Sequence, residues 1–248
     1  MKFDGIDAYT SKSIARNLEV AELDEKWIAR GATLKYYPLA IRKTEGSLLW
    51  DEDGNEYIDF LSSAAVYNIG NCHPGIREAV RAQLESNFNY TSAYFYQERP
   101  ARLAEKLAEI TPGNFPKLVT LGFSGSDAND SAIKAARAYT GKKHILSFRG
   151  SYHGTTYGSL ALTGIIDEDS KKCVCPLDGV AFADFPDPLR NPWGINGYLE
   201  PGKLSESSLS QIHDAIAALK GDVAGIIVEP IQGDSGAIIP PAGYMTKL

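Results

Sequence analysis

The chain has 248 residues, of which 44% are hydrophobic and 23% charged. That is an ordinary globular composition, with enough apolar material for one large domain or for one domain and part of another. The formal net charge of −6, with no basic stripe, argues against a nucleic-acid surface. No apolar run approaches the roughly 20 residues of a membrane helix, and the polar sequence after Met1-Lys2-Phe3-Asp4 lacks a secretory leader pattern, so a cytoplasmic protein without a membrane partner is expected.

In chain order, residues 7–30 read as a helix with Leu18, Leu23, Trp27 and Ile28 apolar among charges. Residues 36–41 are a candidate strand. Ser47-Leu-Leu-Trp50-Asp-Glu-Asp53-Gly54-Asn55-Glu-Tyr57-Ile58-Asp-Phe60 reads as a hairpin, because Asp53-Gly54 between alternating apolar residues is a strong turn signal. In Asn68-Ile-Gly70-Asn71-Cys72-His73-Pro74, Pro74 suits the first position of a helix whose apolar face is Ile76, Val80 and Leu84, and His73 is expected to structure the turn before it. Residues 90–96, Tyr-Thr-Ser-Ala-Tyr-Phe-Tyr, form a dense aromatic loop that would by itself be core packing. Residues 97–110 follow as an amphipathic helix with Leu103, Leu107 and Ile110 on its buried stripe, closed by Thr111-Pro112-Gly113.

Residues 117–141 organise the rest. A short apolar run at 118–121 has strand length. Ser124-Gly125-Ser126 makes a small-residue loop, and a helical pattern places Ala128, Ala132, Ala135, Ala136 and Tyr139 on one face, with Gly141 at the stop. Ser126 is the expected N-cap, and Asp127 and Asp130 suit the positive end of the macrodipole. Strand, tight loop and helix N-terminus together make an anion site, since the first amides of a helix have no internal partner and a glycine admits a phosphate. Gly125 and Ser126 are the candidate phosphate contacts. The loop has neither the ending of a P-loop nor the spacing of a dinucleotide site.

Residues 144–148 read as a second buried strand, followed by Arg149-Gly150-Ser151-Tyr152-His153-Gly154-Thr155. Residues 165–203 are rich in Pro, Gly and Asp without periodicity and read as a long surface excursion. Cys72, Cys173 and Cys175 are an odd set, and Cys173-Val-Cys175 has one spacer where metal and redox motifs have two, so free thiols and no metal site are expected. A helix opens near Ser205 and runs to about Lys220. Residues 223–228 then form a buried strand with Glu229 at its carboxyl end, where open α/β sheets bind ligands.

Four of these blocks, in this order, resemble the class III aminotransferases, the pyridoxal 5′-phosphate (PLP) enzymes of fold type I. Ser124-Gly125-Ser126-Asp127-Ala128-Asn129 resembles their Ser-Gly-Ser-Glu/Asp-Ala-Asn motif, and Gly150-Ser-Tyr152-His153-Gly154 their Gly-x-Tyr/Phe-His-Gly segment. Glu229-Pro-Ile-Gln232-Gly233 resembles Glu-Pro-Ile/Val-Gln-Gly, and the hairpin around Gly54 their Asp-x-x-Gly-x-x-Tyr-Ile/Leu-Asp-Phe. Asn71 stands where the family usually has a histidine. The resemblance implies a three-layer α/β large domain with a mostly parallel central sheet, residues 63–248, preceded by a helix and hairpin of a small α+β domain, residues 1–62. It implies PLP as cofactor, Tyr152 stacked on the pyridine ring, Glu229 near the cofactor facing a substrate-gating arginine, and His153 as a structural neighbour. It also implies Tyr94 and Tyr96 at the substrate, a homodimer, and transfer of an amino group from an amino acid or ω-amino acid such as 4-aminobutyrate to a 2-oxo acid.

The motif order places the Schiff-base lysine and the aspartate for the pyridine nitrogen beyond Leu248, so none of Lys117, Lys134, Lys142 or Lys143 is assigned that role and residues 1–248 alone are expected not to turn over. The same blocks resemble amino-acid racemases and epimerases of this family, which share the α-proton abstraction, and a non-catalytic chain that kept the fold is a third possibility.

Overall fold

A computed structural model describes residues 12–29, 35–87, 90–175 and 177–248. They fall into two compact units that divide between Tyr96 and Gln97. Among the described residues no helix is long and apolar enough to cross a membrane.

The first unit opens with α1 (Ala15–Trp27) and a three-stranded antiparallel sheet, β1 (Ile41–Glu45), β2 (Leu48–Asp51) and β3 (Glu56–Ile58), in that spatial order. The start of the expected helix at residues 7–11, and residue 30, lie outside the described residues. The strand expected at 36–41 begins instead at Ile41, because Pro38 has no N–H to give a ladder. The hairpin is as expected, with Gly54 at φ +83° in its turn.

A polar knot ties helix to hairpin. The buried Asp51 carboxylate accepts from Asn17 Nδ2 (2.9 Å), Asn55 N (2.8 Å), Asn55 Nδ2 (2.8 Å) and the Tyr57 hydroxyl (2.9 Å). Asp53 accepts from the amides of Arg16 (3.0 Å) and Asn17 (2.9 Å), serving the first turn of α1, whose own N-cap Ile14 has no acceptor to offer. Burial pushes the Asp51 carboxyl up, but donors from Asn55, Asn17 and Tyr57 outweigh it and hold the group below the usual carboxylate range. The stability it confers is therefore present above the unfolded value of about 3.9 and lost as pH falls through the folded one. Asp51→Asn turns an NH2 toward these donors. It is expected to cost about 2 kcal/mol in urea unfolding at pH 7, with a smaller penalty below pH 4; equal midpoints at pH 7 would contradict the knot.

After β3 comes α2 (Ser62–Ala65), a single left-handed turn with φ between 49° and 63° at all four residues. His73 caps α3 (Pro74–Ser86), its Nδ1 accepting from Gly75 N at 3.2 Å, as the sequence led us to expect.

The second unit begins with α4 (Glu98–Ile110), α5 (Gly125–Thr140), β4 (His144–Phe148), α6 (Tyr157–Leu162) and α7 (Glu168–Lys171). It continues with β5 (Val180–Ala183), α8 (Pro201–Ala218), β6 (Val223–Ile226) and α9 (Tyr244–Lys247). The strands form one parallel sheet in the order β5-β4-β6, with Ile145 opposite Val180 and Gly225. Alternation along β4 separates two cores. Leu146 and Phe148 pack with Ala183, Phe185 and Ile212 of α8 on one face, while Ile145 packs with Ile133 of α5 and Leu162 of α6 on the other. Helix, sheet and helix layers result, the expected three-layer α/β arrangement.

Two further expectations need correction. The run at 118–121 joins no ladder among the described residues. Both sides of β4 are taken by β5 and β6, and Leu118 stands fully exposed. The stretch 165–203 is not all surface excursion, since it contains β5 and the buried Phe185 and Ile195. The three cysteines are free thiols, Cys175 buried and the others exposed.

Candidate functional site

The sheet's carboxyl end and the N-terminus of α5 converge on one surface of the second unit. Ser124, extended at φ −160°, is the N-cap of α5, and its Oγ accepts from Asp127 N at 3.1 Å. Asp127 returns the contact by accepting from Phe123 N at 3.0 Å. This corrects the assignment of the cap to Ser126. The cap sits two residues earlier, where the Ser-x-x-Asp spacing of a capping box already pointed. The correction frees Ser126. Its Oγ accepts from Thr155 N at 3.2 Å, which leaves its proton available for donation. The amides of Gly125 and Ser126 have no acceptor among the described residues. A Cβ at Gly125 would meet nothing within 4 Å, so glycine leaves open space above amides at the positive end of a 16-residue helix.

The loop after β4 is fastened to that helix. Asn129 Nδ2 donates to His153 O at 2.7 Å, and Asp130 Oδ1 accepts from Ser159 N at 2.7 Å in the first turn of α6. Gly154 makes the close approach possible. Its φ is +125°, and a Cβ there would collide with Ser126 Oγ and lie 2.7 Å from Ser159 Oγ. Thr163 braces the same loop, accepting from His153 N at 3.0 Å and donating to Gly154 O at 2.9 Å.

Tyr152 leaves this braced loop with its side chain partly exposed, and no other ring packs on it among the described residues. Its amide donates to Glu229 Oε1 at 2.7 Å, while Gly233 N donates to Glu229 Oε2 at 3.1 Å. The structure thus brings Tyr152 and Glu229 together, and Thr155 joins the same loop to Ser126. His153 is buried, and its Nε2 has no partner among the described residues. Burial pushes its imidazole below the ordinary value and the nearby Glu229 charge opposes this, with burial the stronger, so the neutral ring is favoured. Tyr94 and Tyr96 belong to the first unit and are exposed there.

Free amides under open space, a partly exposed aromatic ring and a fixed carboxylate fit a phosphorylated, flat, cationic heteroaromatic such as PLP. Amides of that kind can receive a phosphate, and an aromatic face can stack on a heterocycle. The sequence reading singled out Gly125, Ser126, Tyr152 and Glu229. It missed the bracing roles of Asn129, Gly154 and Thr163. Asn129 and Gly154 lie in the motifs that carry the resemblance, while Thr163 is a tertiary contact with no local signature.

Comparison with known proteins follows the same line. The family model "Aminotransferase class-III" matches residues 30–248. The chain is 41% identical to isoleucine 2-epimerase of Lentilactobacillus buchneri over 90% of this chain and 49% of that protein. It is 35% identical to 5-aminovalerate aminotransferase of Pseudomonas aeruginosa over 86% of this chain and 48% of that protein. Among solved structures, taurine:2-oxoglutarate aminotransferase of Bifidobacterium kashiwanohense, in complex with PLP and glutamate, superposes with a TM-score of 0.83 at 29% identity, covering 92% of this chain and 51% of that one. The chain spans about half the length of the curated relatives it matches.

Proposed function

The chain belongs to the class-III aminotransferase family, and from that premise we propose that the protein is a PLP enzyme that moves an amino group from an amino acid or ω-amino acid to a 2-oxo acid. The observation that carries this is one connected site: the unpaired amides of Gly125 and Ser126, with Ser126 joined through Thr155 N to the loop whose Tyr152 is held by Glu229.

In this reading the Gly125 and Ser126 amides and the Ser126 hydroxyl bind the cofactor phosphate. Tyr152 covers one face of the heterocycle and fixes its tilt. Glu229, held by the amides of Tyr152 and Gly233, keeps a negative charge at the substrate-facing edge. The bound cofactor supplies an electron sink for the carbanion left when a Cα proton is removed. Orientation of the substrate against that sink can lower the barrier by several kcal/mol. We assign no imine-forming role to Lys117, whose Nζ donates to the carbonyls of Ala108 (3.2 Å), Thr111 (2.7 Å) and Gly113 (2.7 Å). Lys143 is engaged with Asp178 at 2.6 Å. We place the imine-forming lysine, and the aspartate for the ring nitrogen, beyond Leu248, and turnover is proposed for the whole protein. We further propose residues 1–62 as part of a small domain and 63–248 as part of the large one, Tyr94 and Tyr96 as substrate contacts, and a cytoplasmic homodimer.

A second reading on the same site is amino-acid epimerisation, favoured by the 41% identity to an epimerase. The two separate on one assay. The intact enzyme is given an L-amino acid or 4-aminobutyrate, with and without 2-oxoglutarate. Amino transfer that depends on the oxo acid supports the first reading, and epimer formation without it the second. No turnover and no bound-cofactor absorbance would sink both.

Tyr152→Ala should weaken PLP binding about five- to tenfold, the equivalent of about 1 kcal/mol for a stacked pair, and slow turnover. Tyr152→Phe should leave both near wild type, since the face and not the hydroxyl is used. Equal losses in the two variants would overturn the stacking role.

A further inference from the structure

Side chains from the loop after β6 reach the loop after β4 at three successive points. Gln232 Nε2 donates to Arg149 O at 2.9 Å, Ser235 Oγ donates to Gly150 O at 2.5 Å, and Glu229 accepts from Tyr152 N at 2.7 Å. Gln232 is buried and its own backbone is fixed, since it exchanges both backbone hydrogen bonds with Ile238, at 3.1 and 2.9 Å. The approach is tight. Gly150 sits at φ +80°, and a Cβ there would lie 2.9 Å from both Gln232 Oε1 and Ser235 Oγ.

We infer that Gln232 and Ser235 are positioning residues which, together with Glu229, clamp the backbone beneath Tyr152 and thereby set the plane its ring presents. The inference rests on the stacking role proposed above for Tyr152. The clamp comes from one side only. From the other, Gly150 N donates to Gly164 O at 3.0 Å and Gly164 N to Ser151 O at 2.7 Å, so residues 149–152 are gripped between the 229–235 loop and residue 164. Loss of the clamp would leave the second grip in place. The expected defect is therefore a loosened Tyr152 and not a lost fold.

The variants are Gln232→Glu, which keeps the shape but removes the donor to Arg149 O, and Ser235→Ala, with Ser235→Thr as the conservative rescue. Two measurements use the intact protein without cofactor. Amide exchange over residues 149–153 should quicken tenfold or more in Ser235→Ala and Gln232→Glu and return to wild type in Ser235→Thr. A 3-fluorotyrosine placed at 152 should give one fluorine line in the wild type and a broadened or split one in the two loosened variants. A third measurement uses cofactor-loaded protein: the circular dichroism of the cofactor band, per bound cofactor, should fall in the loosened variants. Unchanged exchange in folded Ser235→Ala overturns the clamp. Faster exchange with an unchanged fluorine line overturns the positioning role and leaves only a loop staple. Should Gln232→Glu fail to fold, the Ser235 pair decides. A wild type that binds no cofactor sinks the proposed function, while the two cofactor-free measurements still decide the clamp.

Discussion

Gly154→Ala is expected to lower stability by roughly 3 kcal/mol or more and to detach the Tyr152 loop from the N-terminus of α5. Two costs add. A non-glycine residue at φ +125° stores of order 1–3 kcal/mol of backbone strain, and forcing a methyl into filled space costs about 1–3 kcal/mol more. The atoms it meets, Ser126 Oγ and Ser159 Oγ, belong to two helices whose first turns are already engaged, so neither side can yield without losing a hydrogen bond. Two other glycines separate the costs. Gly236 is at φ +115° with nothing within 4 Å of a Cβ, so Gly236→Ala should show the strain alone. Gly202 lies in the first turn of α8 with open space and no positive φ, so Gly202→Ala should be neutral or stabilising by about 0.5 kcal/mol. Urea unfolding of the three variants should rank them in that order. A Gly154→Ala protein as stable as Gly236→Ala would mean that the loop does not pack on Ser126 as described.

Some of this architecture is written locally and some is not. β4, β6 and α5 were legible because each carries its own signal: unbroken apolar runs for buried parallel strands, and the 3.6 period with Gly141 at the stop for the helix, where φ is indeed +68°. β5 was hidden because four residues in a stretch rich in Pro, Gly and Asp are too few to show a period, and their strand character comes from pairing with β4. The run at 118–121 shows the converse. Its apolar pattern speaks of burial, but a ladder requires a neighbour, and none pairs with it among the described residues. The cap error at Ser126 was a choice between two serines, and Asp127 three residues after Ser124 was the local clue. The site was legible as separate pieces. What joins them, through Thr155, Thr163, Gln232 and Ser235, depends on contacts between residues up to 85 positions apart, and no local pattern encodes these.

Ser126→Glu should abolish retention of the cofactor. The side chain stands beside the two unpaired amides that are to receive the phosphate. Two like charges about 5 Å apart at an effective dielectric near 20 repel by roughly 3 kcal/mol, and a phosphate dianion raises this further. The substitution also removes the hydroxyl donor, a loss of about 1.5–3 kcal/mol for a bond to a charged acceptor. Together these amount to a weakening on the order of a thousandfold or more. Ser126→Ala isolates the smaller part. It loses the hydroxyl and the acceptor for Thr155 N but adds no charge, so about tenfold or more is expected. Titrating the cofactor-free intact protein with PLP by absorbance gives both affinities, and thermal melts without cofactor show whether the loop contact to Thr155 N is lost equally in the two. If Ser126→Glu melts like Ser126→Ala and binds PLP a further hundredfold more weakly, the difference is charge against phosphate at the N-terminus of α5. If Ser126→Glu holds PLP as tightly as the wild type, the phosphate is bound elsewhere and the open space over Gly125 has another use.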